Sequence, residues 1–368
     1  MTEYNTEHKM KKTLAAIAAL LIAAAVSPDS SAQKTKQNYV IGFYNLENLF
    51  DIYDDPVKND QEYLPEGKNK WTQAKYEKKL SNMATVIRTM ADNNKRWHTI
   101  LGVSEIENRL VLEDLVSRPE ISAANYQIVH YDSPDRRGVD VALLYKPDQF
   151  TYLDSESIPF DFNSDIDFSD TDTSYFKTRD ILMVRGKIAG EDFAFYVAHL
   201  PSRIGGKGGN LRSRGAEIIY NHSRQLEKEF PGIKIVVMGD MNDDPKDESM
   251  ASYLHGRETL EEVGEDDFFS PYLSMLKAGY GSLCYQGVWC IYDLELVNYN
   301  LAFAPEGGLR IQPVTKNQGK EYYGVIFKRP FMTTQKGTYK GYPFRTFSNG
   351  AFVGGYSDHY PTYIVIGK

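Results

Sequence analysis

The stretch that most constrains this chain is Ile233 to Pro245, IKIVVMGDMNDDP, where an apolar run stops abruptly in carboxylates and a carboxamide. Ile233, Ile235, Val236, Val237 and Met238 form a short β-rich run, the pattern of a strand covered on both faces. Gly239 allows the backbone to leave the sheet tightly, and Asp240 and Asn242 then stand two residues apart at the strand's carboxyl end. An Asx turn that merely closes a strand has the same composition. The motif taken alone is therefore either a turn or a site.

Other strands end the same way. Tyr39 to Leu49 reads as a strand running into a loop and delivering Asn45 and Glu47. Thr72 is placed to cap a helix whose apolar stripe is Tyr76, Leu80, Met83, Ile87 and Met90. His98 to Val103 reads as the next strand, followed by Ser104 to Asn108 and a second helix, Leu110 to Val116, so the chain begins as a βαβ unit. From Tyr126 the texture changes to hairpins: Tyr126 to Tyr131, Gly138 to Tyr145, Phe150 to Leu153, Asp180 to Ile188, and Phe193 to Leu200. The last of these ends in Ala198-His199-Leu200-Pro201-Ser202-Arg203, ahead of a glycine-rich loop from Gly205 to Gly209. Asp161 to Thr173 is dense in aspartate but lacks the glycine a calcium-binding loop of the EF-hand type requires, and reads as a solvated loop. Arg212 to Phe230 reads as a helix, Trp289 to Val297 as a strand carrying Asp293, and Ser357-Asp358-His359-Tyr360-Pro361 precedes a final strand, Thr362 to Ile366. No internal repeat and no boundary-like linker interrupts the chain.

Asn45, Glu105, His199, Asp240, Asn242, Asp358 and His359 thus each lie at a strand edge, and strand edges converge at the rim of a sheet. Carboxylates with carboxamides are hard oxygen ligands suited to Mg²⁺, Mn²⁺ or Ca²⁺, and zinc would want more His or Cys than this set supplies. Imidazole titrates near neutrality, so the two histidines are suited to moving protons. A lone histidine in such a place is usually structural, and Glu105 alone could be a helix-start carboxylate.

The set Asn45 in FYNLEN, Glu105 in GVSEIEN, His199 in AHLPSR, Asp240 and Asn242 in GDMN, and Asp358 with His359 in SDHYP resembles the endonuclease/exonuclease/phosphatase superfamily. The motifs stand in that family's order and span essentially the mature chain. The resemblance implies an α/β fold, a four-layer α/β sandwich of two packed mixed β-sheets flanked by helices, as a single catalytic domain over residues 33 to 368. It implies that Asn45, Glu105 and Asp358 are ligands of a divalent cation, Mg²⁺ first and Mn²⁺ or Ca²⁺ as alternatives. It implies that Asp240 and Asn242 orient the attacking water and hold the phosphoryl oxygens. His359 then resembles the general base or phosphate-polarising imidazole, Asp293 the carboxylate that fixes its tautomer, and His199 the second histidine, donating to the phosphate or the leaving oxygen. Arg179, Arg203 and Arg214 are candidate phosphate contacts. This chemistry suits phosphodiester hydrolysis, which needs an in-line water, a cation on the phosphate and a proton for the departing oxygen.

Composition bears on where and on what such a chain acts. With 368 residues, 42% hydrophobic and 25% charged, it is long enough for a full core. Residues 1 to 32 read as a secretory leader whose true start could be Met10: Lys11 and Lys12, the apolar stretch Leu14 to Val26, then Ser30-Ser31-Ala32 before Gln33. That apolar stretch is too short to span a bilayer, and no cysteine follows it to take a lipid, so the expectation is a secreted or periplasmic chain without a transmembrane segment. Cys284 and Cys290 flank a turn at Gln286-Gly287, and the sequence leaves open whether they pair. The net charge is −8, yet from Gly307 to Arg345 eight basic residues face Glu321 alone, with Tyr322, Tyr323, Phe327, Phe331, Tyr339, Tyr342 and Phe344 interleaved. Basic plus aromatic is how single-stranded nucleic acid is held, and also suits an anionic lipid headgroup; the same aromatics could equally fill core while the lysines face water. The expected partner is a phosphodiester, nucleic acid ahead of lipid, and no protein partner is implied. The leading reading is a nuclease, with a lipid or small-molecule phosphoesterase next. A non-catalytic secreted binding domain on the same fold is the reading from another class.

Overall fold

Alternation along the central strands builds the layers. In β1 (Asn38–Leu49), Ile41 and Phe43 face one way and Val40 and Tyr44 the other, and all four are buried. Such a strand is stable only between two apolar layers, where each fully buried large side chain contributes on the order of 1.5–3 kcal/mol. This is a computed structural model, and it describes residues 37–203, 208–317 and 320–368. The expected leader over residues 1–32, residues 205–207 of the glycine-rich loop and residues 318–319 of the basic stretch lie outside the described residues. The residues from Asn38 to Lys368 form one unit.

Two mixed sheets of seven strands carry the fold. In the first, β1 lies parallel to β2 (Ile100–Ile106) and antiparallel to the last strand, Thr362–Gly367. β2 continues antiparallel to β4 (Asp140–Tyr145), which pairs with β3 (Gln127–His130). In the second, β5 (Phe150–Ile158), β6 (Ile181–Ile188) and β7 (Glu191–His199) run antiparallel in turn; β7 lies parallel to β8 (Lys234–Asp240), and β8 antiparallel to Asp293–Asn298. Ile41, Phe43, Leu143, Val184, Phe195, Val236, Met238 and Ile364 fill the space between the sheets. A Cβ on Gly102 would lie 2.6 Å from Met238 Sδ, so glycine on β2 makes room for a side chain of the facing sheet.

Helices cover the outer faces. α1 (Gln73–Asn94) buries the expected stripe Tyr76, Leu80, Met83, Ile87 and Met90, joined by α2 (Arg109–Val116), against Val40, Tyr44 and Val103. Thr72 stands at the N-cap of α1 without a side-chain capping bond, whereas Asn108 caps α2 by accepting from Val111 N. α3 (Gly209–Glu229) lays Ala216, Ile219 and Leu226 on Tyr196, Ile235 and Val237. The result is the expected α/β sandwich of helix, sheet, sheet and helix layers. Among the described residues no helix is long and apolar enough to cross a membrane.

Two local readings change, and one left open is decided. Gly239 lies inside β8, where a Cβ would come within 2.1 Å of the Ala198 carbonyl oxygen; it permits close strand contact, and the strand runs on to Asp240. The expected strand from Trp289 to Val297 is broken, because Ile291 N donates to Asp244 and Tyr292 O accepts from Met241 N. Val288–Cys290 instead forms a hairpin with Leu283–Tyr285. In that hairpin Cys284 stands opposite Trp289 and Cys290 opposite Leu283, so the two side chains point to opposite faces and both cysteines are free.

Candidate active site

Sheet register brings the polar strand ends together. The parallel pairs β1–β2 and β7–β8 end on one side of the sandwich, and the antiparallel strands Asp293–Asn298 and Thr362–Gly367 begin there. His199, Asp240 and Asp293 are direct neighbours across three strands. On the other sheet the β1–β2 register shifts after Asn45, and the β2–β4 register shifts at Glu105. Glu47 and Glu105 there take left-handed backbone angles, φ 48° and 57°. Each costs on the order of 1–3 kcal/mol for a residue other than glycine, and bulges of this kind re-aim side chains toward a rim.

The contacts form one network. Asn45 Nδ2 donates to Glu105 Oε1 at 3.2 Å and to Asp240 Oδ2 at 2.9 Å, while its Oδ1 accepts from Glu47 N. Glu105 Oε2 accepts from Asn48 N. His359 Nδ1 lies 2.8 Å from Asp293 Oδ2, which also accepts from Ser282 Oγ. The other imidazole nitrogen, His359 Nε2, faces Asp240 Oδ2 at 3.8 Å, and His199 Nε2 faces the same oxygen at 3.8 Å and Glu105 Oε1 at 3.9 Å. Asn242 donates its backbone N–H to Asp240 Oδ1 and its side-chain N–H to Leu200 O. Ser357 Oγ donates to Asn45 O and accepts from His359 N, tying the last motif to the first.

Burial and neighbouring charges together push the two imidazoles in opposite directions. At His199, desolvation, with Arg179, Arg137 and His359 nearby, pushes the pKa well below the ordinary imidazole value. At His359 desolvation acts in the same direction, but the carboxylates of Asp293 and Asp240 outweigh it and hold the pKa well above that value. Asp240 is pushed up to about 6, chiefly by burial, with His359 opposing and Asp293 and Glu105 adding to the rise.

Glu105, His199 and Asp240 each offer a ligand atom within 4.8 Å of the other two, and Asp240, Asp293 and His359 do the same. This donor set fits a divalent cation. The His199 separations are too long for hydrogen bonds and about twice a cation–oxygen distance, and His199 Nδ1 is buried with no partner among the described residues. The expected ligands divide. Glu105 stands in the group. Asn45 turns its amide nitrogen, which cannot ligate a cation, toward the carboxylates, and so braces Glu105 and Asp240. Asp358 has its Oδ2 taken by Arg345 Nη2 at 2.6 Å and its Oδ1 4.0 Å from His359 Nε2, which sets it at the edge of the group.

The three arginines expected to meet phosphate are committed to the protein. Arg179 is buried and donates to His199 O, Leu200 O and Asp135, so it fixes the end of β7. Arg214, on α3, is buried between Asp161 and Glu217, and the loop that carries Asp161 packs Phe160, Phe162 and Phe176 on one another, so the aspartate-rich segment is anchored as well as solvated. Arg203 lies at the surface against Asp247, Asp243 and Tyr292. Sequence reading passed over two cations that do reach the network. Arg345 bridges Asp358 and Glu47, and buried Lys79 lies 3.5 Å from Glu47 while donating to Thr346 Oγ1 and Tyr356 O. Lys79 had a readable signal, since it sits three residues after Tyr76 on the buried face of α1; Arg345, 298 residues from Glu47, had none.

Residues 40–368 match the model of the Endonuclease/Exonuclease/phosphatase family. No curated protein sequence matches the chain. Among solved structures, an endonuclease/exonuclease/phosphatase family protein from Bacteroides thetaiotaomicron aligns with TM-score 0.53 at 12% identity, over 90% of this chain and 96% of that one. TDP2 from D. rerio, complexed with single strand DNA product, aligns with TM-score 0.50 at 13% identity, over 90% of this chain and 100% of that one. The human Nocturnin catalytic domain with bound sulfate anion gives 0.50 at 14%, over 90% and 95%. At these identities the likeness is one of fold.

Proposed function

Because the chain belongs to the endonuclease/exonuclease/phosphatase family, whose members are typically hydrolytic phosphoesterases that use divalent metals, we propose that it is a secreted or periplasmic, metal-dependent phosphodiesterase and specifically a nuclease. The observation that carries the reading is the buried Asp293–His359 pair whose free nitrogen faces Asp240, beside the Glu105–His199–Asp240 group. Asp293 anchors Nδ1 of His359 and leaves Nε2 directed at the reacting centre. Asp240, its own proton affinity raised by burial, holds the attacking water in line and takes its proton. His359 donates to the phosphoryl oxygens, and the departing oxygen, on the side that His199 faces, takes a proton from water while Asp240 returns the one it accepted to solvent. Asn45 keeps the Glu105 and Asp240 carboxylates in place through the conversion. Glu105, beside Asp240 and His199, would hold the cation, Mg²⁺ ahead of Mn²⁺ or Ca²⁺, and the cation would supply charge stabilisation on the phosphate.

A polymer substrate is favoured by the basic and aromatic segment before Asp358, since part of it faces solvent: Tyr339, Lys336 and Lys340 are exposed. A lipid or small-molecule phosphoester is the second reading, as the same catalytic cluster serves any phosphodiester. Release of product from DNA, RNA, sphingomyelin and inositol phosphates, with and without chelator, tests both. Chelator-sensitive hydrolysis of DNA or RNA is expected; turnover surviving exhaustive chelation would sink the mechanism, and hydrolysis confined to lipid would sink the nuclease reading.

A further inference from the structure

A cleft of about 690 Å³ adjoins the catalytic cluster and shares with it a single lining residue, Asp358. One wall is the hairpin Leu283–Cys290, which contributes Tyr285; the other is the segment from Thr334 to Asn349, which contributes Lys336, Tyr339, Tyr342, Phe344 and Arg345. Tyr285 is 65% exposed and Tyr339 45%, so neither ring is spent on core packing. Tyr342 is held between Tyr339 and Trp289, at 5.8 and 6.1 Å between ring centres, and Trp289 stacks on Tyr360, the residue after His359. The aromatic wall is thereby fixed to the catalytic segment. Where cleft and cluster join, Arg345 holds Asp358, so an ester bound at His359 meets a guanidinium as its substituent enters the cleft.

The lining chemistry selects the occupant. The volume falls within the roughly 300–1,000 Å³ of small-ligand sites. An acyl chain would want aliphatic walls, and the aliphatic lining here is Pro343 and Val353. Flat rings carrying hydroxyls, with an exposed lysine and an arginine beside them, are the means by which proteins hold an unstacked base and its phosphates. Resting on the nuclease reading above, we propose that this cleft holds one unstacked nucleobase of the polymer next to the phosphate being cleaved, with Lys336 taking a flanking phosphate and Arg345, paired with Asp358 and Glu47, fixing the junction. The enzyme then acts on single-stranded or unpaired nucleic acid in preference to duplex, whose stacked bases cannot enter.

The test compares kcat/KM for single-stranded oligonucleotides that carry either a normal base or an abasic site on each side of the cleaved bond in turn. Wild-type enzyme should prefer the base-bearing substrate by roughly 5-fold to 150-fold, the range of one base–aromatic stack. Tyr339→Ala combined with Tyr285→Ala should bring that ratio close to one. Both rings are exposed, so the variant should keep the wild-type melting temperature, and the single variants serve if it does not. Equal cleavage of abasic and base-bearing strands by the wild type, or an unchanged ratio in the variants, overturns the cleft assignment while leaving the nuclease reading intact. Failure to cleave any DNA or RNA overturns that reading and the assignment with it. Hydrolysis of a bilayer phosphodiester that falls in the same variants assigns the cleft to a lipid and overturns the base.

Discussion

The proposed catalytic floor and the cleft beside it meet at Asp358, and they are built in opposite ways. The floor is made of strand ends: His199, Asp240 and Asp293 are adjacent because three strands are in register, while Asn45 stands just before, and Glu105 within, the register shifts of β1–β2 and β2–β4. The cleft is made of loops and a short hairpin, and between Gly324–Ile326 and the last strand the regular elements are a single turn of 3-10 helix, Pro330–Met332, and a pair of two-residue strands. A register is a discrete choice, since a slip of one residue turns every side chain to the other face. Loop positions have no such lock. Chemistry placed by register tolerates little change, whereas recognition placed by loops is graded, and the two should respond differently to mutation, metal, pH and salt.

The largest expected effect is in the floor. Asp240→Asn and His359→Ala should each lower kcat by roughly 10²-fold to 10⁴-fold, measured on a small artificial phosphodiester that makes no use of the cleft. The double variant should be little worse than the worse single, because residues that act as one unit are not additive. Near wild-type turnover in either single variant would remove the floor assignment.

Glu105→Gln should come next. It should weaken divalent-cation affinity, read by calorimetry on metal-stripped protein, by at least the roughly tenfold that loss of an outer-shell partner alone can cost. Chelation should stop the reaction reversibly, with Mg²⁺ or Mn²⁺ restoring it better than Zn²⁺ given the carboxylate-rich donor set. Unaltered cation binding in this variant would move the metal away from Glu105.

These expectations also mark what was legible beforehand. The floor could be read because each of its residues sits at the end of an apolar run, a local signal; the seven motif residues and Asp293 do converge on one end of the sandwich. Their division of labour could not be read. Asn45 turns its nitrogen toward Glu105 and Asp240, 60 and 195 positions away, and Asp358 gives an oxygen to Arg345, 13 positions away in a loop, and neither pairing leaves a local signal. Arg179 and Arg214 looked free for the same reason: their partners Asp135 and Asp161 lie in other loops. In the basic stretch, Tyr322 and Phe327 are buried while Tyr339 is exposed, a split that alternating charge and aromaticity cannot announce.

Stability in acid separates the floor's scaffold from its chemistry. His98, two residues before β2 and at the far end of that strand from Glu105, is fully buried, with neither ring nitrogen partnered among the described residues; burial pushes its pKa from 6.5 to about 3. Between those values the unfolded chain takes up a proton that the folded chain refuses. The stability His98 contributes is therefore complete above about pH 6.5 and is lost as pH falls toward 3, at about 1.4 kcal/mol per unit, or roughly tenfold in the folded-to-unfolded ratio. His98→Phe keeps a ring against Tyr363, 5.6 Å away, and should flatten this acid limb in urea unfolding. An identical limb in the variant would assign the acid sensitivity elsewhere.

The smallest effect, and the sharpest test of the division, is salt. Each phosphate neutralised on a single strand contributes a slope of about −0.7 in log affinity against log salt. With Lys336 in the cleft and Arg345 already paired with Asp358 and Glu47, the slope should be about −0.7, so KM for a single-stranded polymer should rise roughly 2.6-fold between 50 and 200 mM salt. Lys336→Gln should bring that slope close to zero. Lys328 stands only eight positions earlier in the same basic stretch, but its Nζ lies over the rings of Trp289 and Tyr360, 4.6 and 5.2 Å from their centres, and donates to Gly341 O. Its charge already faces aromatic rings, so Lys328→Gln should loosen the wall behind the cleft, raising KM at every salt concentration without altering the slope. If the two substitutions change the slope equally, the segment attracts polyanions as an undivided charged patch, and the boundary drawn here between a structural lysine and a recognising one falls.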